Sequence, residues 1–325
     1  IIDIFVMPTL FLISGYLTPT SVDRKTAWAF LGSRFKRLIL PWFVAVLTLM
    51  PLYKVIFLYS RGLPQEHWTT YFHFSRGTIT SQNWLWFLPV LFLFNILYLL
   101  LSKTKIRINL PVKSAVVAVF VLGLISSLVV GYFVGFRTWI KTPVIDFEAD
   151  RLILYFLIFL LGALCFRKQV FASKPKSQIL YIVASSTAWI PITIHIFARL
   201  IPFMTGGVAL ISPTADWLIW WLSFYASLLC MLYLMIETFW RYFDRTGPVW
   251  KELNKDSYGV YIIHVIVLGL IALLLLNTAL PSLVKYVTLT VSTFLVCNLI
   301  VSFARRLAQT IKSGSSRSET GAVEA

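Results

Sequence analysis

The chain has 325 residues, 58% of them hydrophobic and 13% charged, and a formal net charge of +16. Soluble domains carry about 25% charged residues, so this composition excludes an ordinary water-soluble globule. The three cysteines (Cys165, Cys230, Cys297) lie far apart in apolar stretches, which excludes a disulfide framework and any Cys/His metal site.

A bilayer-spanning helix takes roughly 20 mostly apolar residues, and nine stretches qualify. The first is Ile1–Pro19, with Asp3 near one end and the small-residue step Ser14-Gly15, which permits close helix packing. The connection Thr20–Arg37 holds five Lys/Arg and ends on Arg34-Phe35-Lys36-Arg37, ahead of Pro41. Three residues apart, Arg34 and Arg37 share a face if helical. Such a guanidinium pair at a membrane surface suits bidentate phosphate binding; the same pair also serves as a plain topological anchor. The second span is Leu38–Tyr59, in which Lys54 is close enough to the interface to snorkel. The loop that follows carries His67 and His73. The third span, Trp84–Ser102, opens on Trp84-Leu85-Trp86-Phe87-Leu88-Pro89, which reads as an aromatic belt with a proline kink or as part of a site.

The connection Lys103–Lys113 has four basic residues, and the fourth span is Ser114–Phe136. Asp146, Glu148 and Asp150 cluster in the next loop. The fifth span, Leu152–Phe166, is short and bracketed by Arg151 and Arg167, which can snorkel to the two interfaces. After Arg167–Ser177, with four more basic residues, comes the sixth span, Gln178–Leu200, with His195 near its end. The apolar loop Ile201–Thr214 reads equally as re-entrant or interfacial. The seventh span, Trp217–Trp240, holds Glu237 within snorkelling distance of an interface. Four basic residues in Arg241–Ser257 precede the eighth, Tyr258–Leu276. There Tyr258, Tyr261 and His264 recur every three residues along one stripe, with His264 about 10 Å into the helix. A neutral imidazole at that depth can exchange a proton or hydrogen-bond a neighbouring helix. The ninth span is Leu283–Ala304. The Ser/Gly/Glu-rich end of the tail, from about Ser313, predicts disorder.

Of the 29 Lys+Arg, 21 fall in alternate connections or the tail, 7 in the other connections or at the span ends that border them (Arg199 and Lys285), and one, Lys54, deeper inside a span. That is the positive-inside pattern. It predicts that Thr20–Arg37 and the C-terminus are cytoplasmic, and it accounts for the net charge without nucleic acid. Nine spans put the chain ends on opposite sides, so a tenth helix is expected ahead of Ile1. The predicted architecture is an all-α polytopic transmembrane bundle over residues 1–304, with a largely disordered cytoplasmic tail over 305–325.

Taken in order, these stretches resemble the acyltransferase-3 family of membrane O-acyltransferases. The matching pieces are Met7–Tyr16, Arg34-x-x-Arg37 ahead of Pro41, Trp84–Leu88, Leu160-Leu161-Gly162-Ala163 and Ser257–His264. The Trp84–Leu88 region looks most like the branch that includes glucan succinyltransferases. The resemblance implies ten helices, which agrees with the span count. It also implies transfer of an acyl group from a cytoplasmic donor, typically a coenzyme A thioester, to a hydroxyl on an extracytoplasmic glycan in the bacterial inner membrane. It assigns Arg34 and Arg37 to the donor side. The family's catalytic histidine belongs to the helix this sequence does not contain, so the chain as given is expected to lack it. His264 is therefore given a supporting role, and Ser14, Gly15, Trp84, Trp86, Tyr258 and Tyr261 a place in the tunnel or the structural motif. No metal or permanent cofactor is expected; acyl-CoA enters as co-substrate. A lipid or glycan exporter, or a non-catalytic scaffold, is the alternative class. The absence of an internal repeat speaks against the exporter.

Overall fold

The computed structural model describes residues 2–67, 69–70, 82–104, 110–135, 138–142, 144–172, 178–243 and 247–321, with the backbone alone for 2–3 and 312–321. Asp3 and His73 therefore lie outside the described side chains. Among the described residues eight helices are long and apolar enough to cross a membrane, and a ninth, Leu152–Arg167, is apolar but shorter. These nine correspond to the nine predicted spans, including the short fifth. Large apolar side chains face outward along them: Phe203 is 84% exposed, Leu274 79%, Ile179 77% and Phe303 70%. Such an exterior is stable against lipid tails and not against water.

The chain forms two compact units, residues 1–40 with 86–244, and residues 41–85 with 245–325. The first unit contains α1 (Ile2–Asp23), α2 (Ala27–Arg34), α4 (Phe87–Lys103), α5 (Val112–Val134), a β1–β2 hairpin (Trp139–Lys141, Asp146–Glu148), α6 (Leu152–Arg167), α7 (Gln178–Thr187), α8 (Trp189–Met204) and α9 (Pro213–Tyr242). The second contains α3 (Leu40–Ser60), α10 (Pro248–Leu276) and α11 (Ser282–Gly321).

The first unit is organised by a backbone-to-backbone crossing of α1 on α6. A methyl group added at Gly15 would fall 2.0 Å from the Phe159 carbonyl oxygen, and one at Gly162 would fall 2.1 Å from that of Leu12. Without a hydrophobic drive between helices in lipid, close contact of small residues supplies the packing energy. Beside this crossing Phe11 is fully buried, with ring centroids 4.8 Å from Phe87, 5.0 Å from Phe94 and 5.1 Å from Tyr155. The Thr18 hydroxyl reaches Asn95 Oδ1 at 3.3 Å and ties α1 to α4. The sixth predicted span is broken into α7 and α8 at Ala188, three residues before Pro191. The proline has no N–H for the Thr187 carbonyl, and its ring crowds that turn.

Several charged side chains sit deeper than the sequence implies. Arg151 was expected to snorkel; it is buried instead, 3.2 Å from Glu148 and with its guanidinium 4.7 Å from the Phe224 ring centroid. Asp146, Glu148 and Asp150 are buried with it. The hairpin register, Trp139 against Glu148 and Lys141 against Asp146, folds this acidic segment inward, where Thr142 N donates to Asp146 at 3.0 Å. Glu237 is buried and ion-paired with Arg241 one turn along α9. Lys54 pairs with Glu66 at 2.6 Å and donates to the Thr70 carbonyl at 3.3 Å, so it tethers the following loop. For Arg151, Glu148, Glu237 and Lys54 a nearby opposite charge substitutes for the water that snorkelling would have reached.

The connection between α8 and α9 contains no helix over 205–212. Asp216 draws it in by accepting from Leu210 N (2.7 Å) and Ile211 N (3.2 Å), and Ser212 caps α9. In the second unit α11 runs past Ala304 to Gly321. Arg305 anchors α11 to α10 through Glu252 and Asp256, the latter at 3.2 Å and buried.

Candidate functional site

Two groups of predicted site residues take shape, one in each unit. The first is the Arg34/Arg37 stretch. Thr26 caps α2, and its side chain accepts from Ala29 N at 3.4 Å. The helix then widens into a π turn over Phe35–Ile39 before continuing as α3. Pro41 is the cause: it has no N–H for the Arg37 carbonyl, and the Leu40 N–H bonds to Phe35 O, five residues back. Arg34 closes α2, half-buried, with its guanidinium 5.3 Å from the Phe30 ring centroid. Arg37 lies within the π turn and is exposed. Both cations stay within a single turn of backbone.

The second group surrounds His264 in the other unit. Asn83 takes a left-handed conformation (φ +46°), which asparagine tolerates better than most residues, and turns the chain into a short 3₁₀ helix, Asn83–Trp86. Trp84 Nε1 donates to the Ile262 carbonyl at 3.0 Å, and the Tyr261 hydroxyl donates back to the Trp84 carbonyl. His264 Nδ1 is 2.7 Å from the Tyr261 carbonyl. A carbonyl only accepts, so Nδ1 carries the proton of that bond. The imidazole lies between two rings, its centroid 6.0 Å from that of Tyr261 and 6.4 Å from that of Trp84. The Tyr53 ring is edge-on to Trp84 at 5.5 Å. Behind Trp84, the fully buried Gln82 accepts from Trp42 Nε1 at 3.2 Å. Tyr258 is half-buried one turn from Tyr261.

The remaining predicted residues serve other places. Ser14 and Gly15 belong to the α1–α6 crossing. Trp86, two residues from Trp84, packs in the first unit against Tyr155 (5.8 Å) and Trp139 (5.7 Å). The Trp-Leu-Trp motif is therefore divided, one indole beside His264 and the other in a packed core. His195 is buried, with Nδ1 3.3 Å from Ser223 Oγ, whose hydroxyl donates to the Trp220 carbonyl at 3.0 Å. His67 is exposed and 2.9 Å from Thr69 Oγ1. Sequence reasoning did not single out Tyr53, Gln82 or Trp42. Tyr53 and Trp42 look like ordinary span aromatics, and only the partner across the fold gives them a role. No group of three or more His, Cys, Asp or Glu among the described residues is arranged to hold a metal ion.

A bundle of long apolar helices with an apolar exterior defines an integral membrane protein. The chain belongs to the acyltransferase-3 family, whose acyltransferase domain matches residues 1–302. It is thus a membrane acyltransferase. No curated protein and no solved structure matches the chain.

Proposed function

We propose that the protein moves an acyl group from a coenzyme A thioester, bound from the cytoplasm, to a hydroxyl of an extracytoplasmic glycan in the bacterial inner membrane. Family membership over residues 1–302 carries this reading. The bias of 21 basic residues against 7 supports a cytoplasmic Thr20–Arg37 connection and a cytoplasmic C-terminus. The glucan succinyltransferase-like look of Trp84–Leu88 favours a short, acidic acyl group.

In the transfer, the acceptor oxygen attacks the thioester carbonyl and the new C–O bond replaces the C–S bond. Coenzyme A leaves as the thiol, taking up the proton the hydroxyl gives away. Arg34 and Arg37 grip the donor's phosphates by charge-assisted bonds. The π turn suits that task because it keeps two cations within a single turn of backbone. His264, with Tyr258, Tyr261 and Trp84 around it, supports the acceptor hydroxyl.

The donor half of this reading is tested by calorimetry of coenzyme A thioester binding. Arg34→Ala and Arg37→Ala should each weaken binding by roughly 1.5–3 kcal/mol, the worth of a hydrogen bond to a charged group. Lys103→Ala, on a different basic connection, should change it little. Equal, small losses at all three positions would reduce the arginine pair to a topological anchor.

A further inference from the structure

We propose that Trp84 is a positioning residue for the transfer reaction: together with Tyr261 it clasps one turn of α10, so that His264 is held as the Nδ1–H tautomer and presents Nε2 as a hydrogen-bond acceptor to the acceptor hydroxyl. The proposal rests on the reading that His264 takes part in transfer.

The clasp consists of two bonds of opposite direction across nearly 180 residues of chain. Trp84 gives its indole N–H to the Ile262 carbonyl and receives the Tyr261 hydroxyl on its own carbonyl. The carbonyl next to Ile262's, that of Tyr261, is the one that takes the His264 Nδ1–H. The turn that orients the imidazole is therefore the turn the clasp pins. Trp84 can act this way because it is itself held: Asn83 sets the preceding turn, Gln82 is tied to Trp42, and the Tyr53 ring closes its other side. In a neutral imidazole one nitrogen donates and the other accepts, and the partner of the first decides which is which. Free neutral histidine prefers the Nε2–H form, with Nδ1 as acceptor. Bonding of Nδ1–H to Tyr261 reverses this and leaves the lone pair on Nε2, at the tip of the ring, the atom assigned here to the substrate hydroxyl. Trp84, 7% exposed, contributes no reacting atom in this scheme.

The tautomer is directly observable. Residues 1–325 carry four histidines, and ¹⁵N-histidine labelling of the full-length protein in nanodiscs, with His264→Asn as the difference sample, assigns the His264 resonances. At a pH where the ring is neutral, the wild type should show the Nδ1–H form. Trp84→Phe and Tyr261→Phe, which each remove one bond of the clasp and keep the ring, should shift His264 mainly to Nε2–H. Incorporation of label from acetyl- or succinyl-coenzyme A into the cell envelope should fall roughly tenfold at saturating donor in both variants, short of the 10²–10⁴-fold typical of losing a general base. The half-saturating donor concentration should stay unchanged. An Nε2–H ring in the wild type, or a tautomer unmoved in both variants, would overturn the proposal. So would a tautomer that moves while envelope labelling is fully retained, and that result would leave the acyltransferase reading intact. No labelling by the wild type from either thioester would instead sink the donor reading, and the tautomer comparison would still decide the clasp.

Discussion

An imidazole inside a membrane span donates or accepts according to the tautomer its neighbours enforce. For His264 the neighbour is a backbone carbonyl of its own helix, so the chemistry of the side chain depends on the geometry of one turn. His264→Ala should lower transfer less than the 10²–10⁴-fold expected for a general base. The amides separate the two nitrogens: His264→Asn restores a donor near Nδ1, and His264→Gln places an amide near Nε2. Glutamine should therefore recover more activity than asparagine in the envelope-labelling assay. The reverse order would mean that the Nδ1 bond alone matters, and a complete loss in all three would give His264 a larger role. At the loop, the Lys54 ammonium, then the Thr70 hydroxyl, holds the Glu66 carboxyl below the usual carboxylate range. A depressed folded-state value means that the tether is present above the unfolded carboxylate's range and is lost as pH falls through the folded value. Thermal midpoints at neutral and acid pH should show a slightly larger acid loss for the wild type than for Glu66→Gln.

At the scale of the helix, the crossing of α1 on α6 rests on the absence of two side chains. Gly15 and Gly162 meet carbonyl oxygens of the opposing backbone, which cannot rotate aside as a side chain would. Gly15→Ala and Gly162→Ala should each force α1 and α6 apart, at the upper end of the roughly 1–3 kcal/mol cost of overpacking. Gly32→Ala adds a methyl into open space and serves as the control. Thermal unfolding in nanodiscs should show lower midpoints for the first two and none for the third; equal midpoints would mean that the crossing is looser than described. The α10–α11 pair is joined differently, by Arg305 against Glu252 and the buried Asp256. Arg305→Ala leaves Asp256 buried with one cation fewer. The second change, Asp256→Asn, should restore part of the stability that the first removes.

For the whole chain the testable quantity is orientation. The positive-inside bias predicts that Thr20–Arg37 faces the cytoplasm. A cysteine placed at Thr26, with the three native cysteines replaced, should resist an impermeant maleimide applied from outside and react once the membrane is opened. Labelling from outside would invert the proposed topology, and with it the side from which Arg34 and Arg37 meet the donor.

The number and class of the spans were legible in the sequence because a bilayer demands one property, an apolar run of sufficient length, and that property is local. Arg34-x-x-Arg37, Ser14-Gly15 and the Tyr258–Tyr261–His264 stripe were legible as motifs for the same reason: their spacing alone places them on a helix. Pro41 and Pro191 were visible too, although the π turn and the break at Ala188 needed the backbone to show which hydrogen bond yields. Tertiary structure decided whatever depends on a partner distant in sequence. It divided Trp84 from Trp86 between two packing environments, paired Lys54 with Glu66, set Arg151 over the Phe224 ring, and joined Gln82 to Trp42. It also brought Trp84 onto the turn of α10 that carries His264, because the two bonds between Trp84 and Tyr261–Ile262 join segments nearly 180 residues apart, and nothing in residue order tells that they are made.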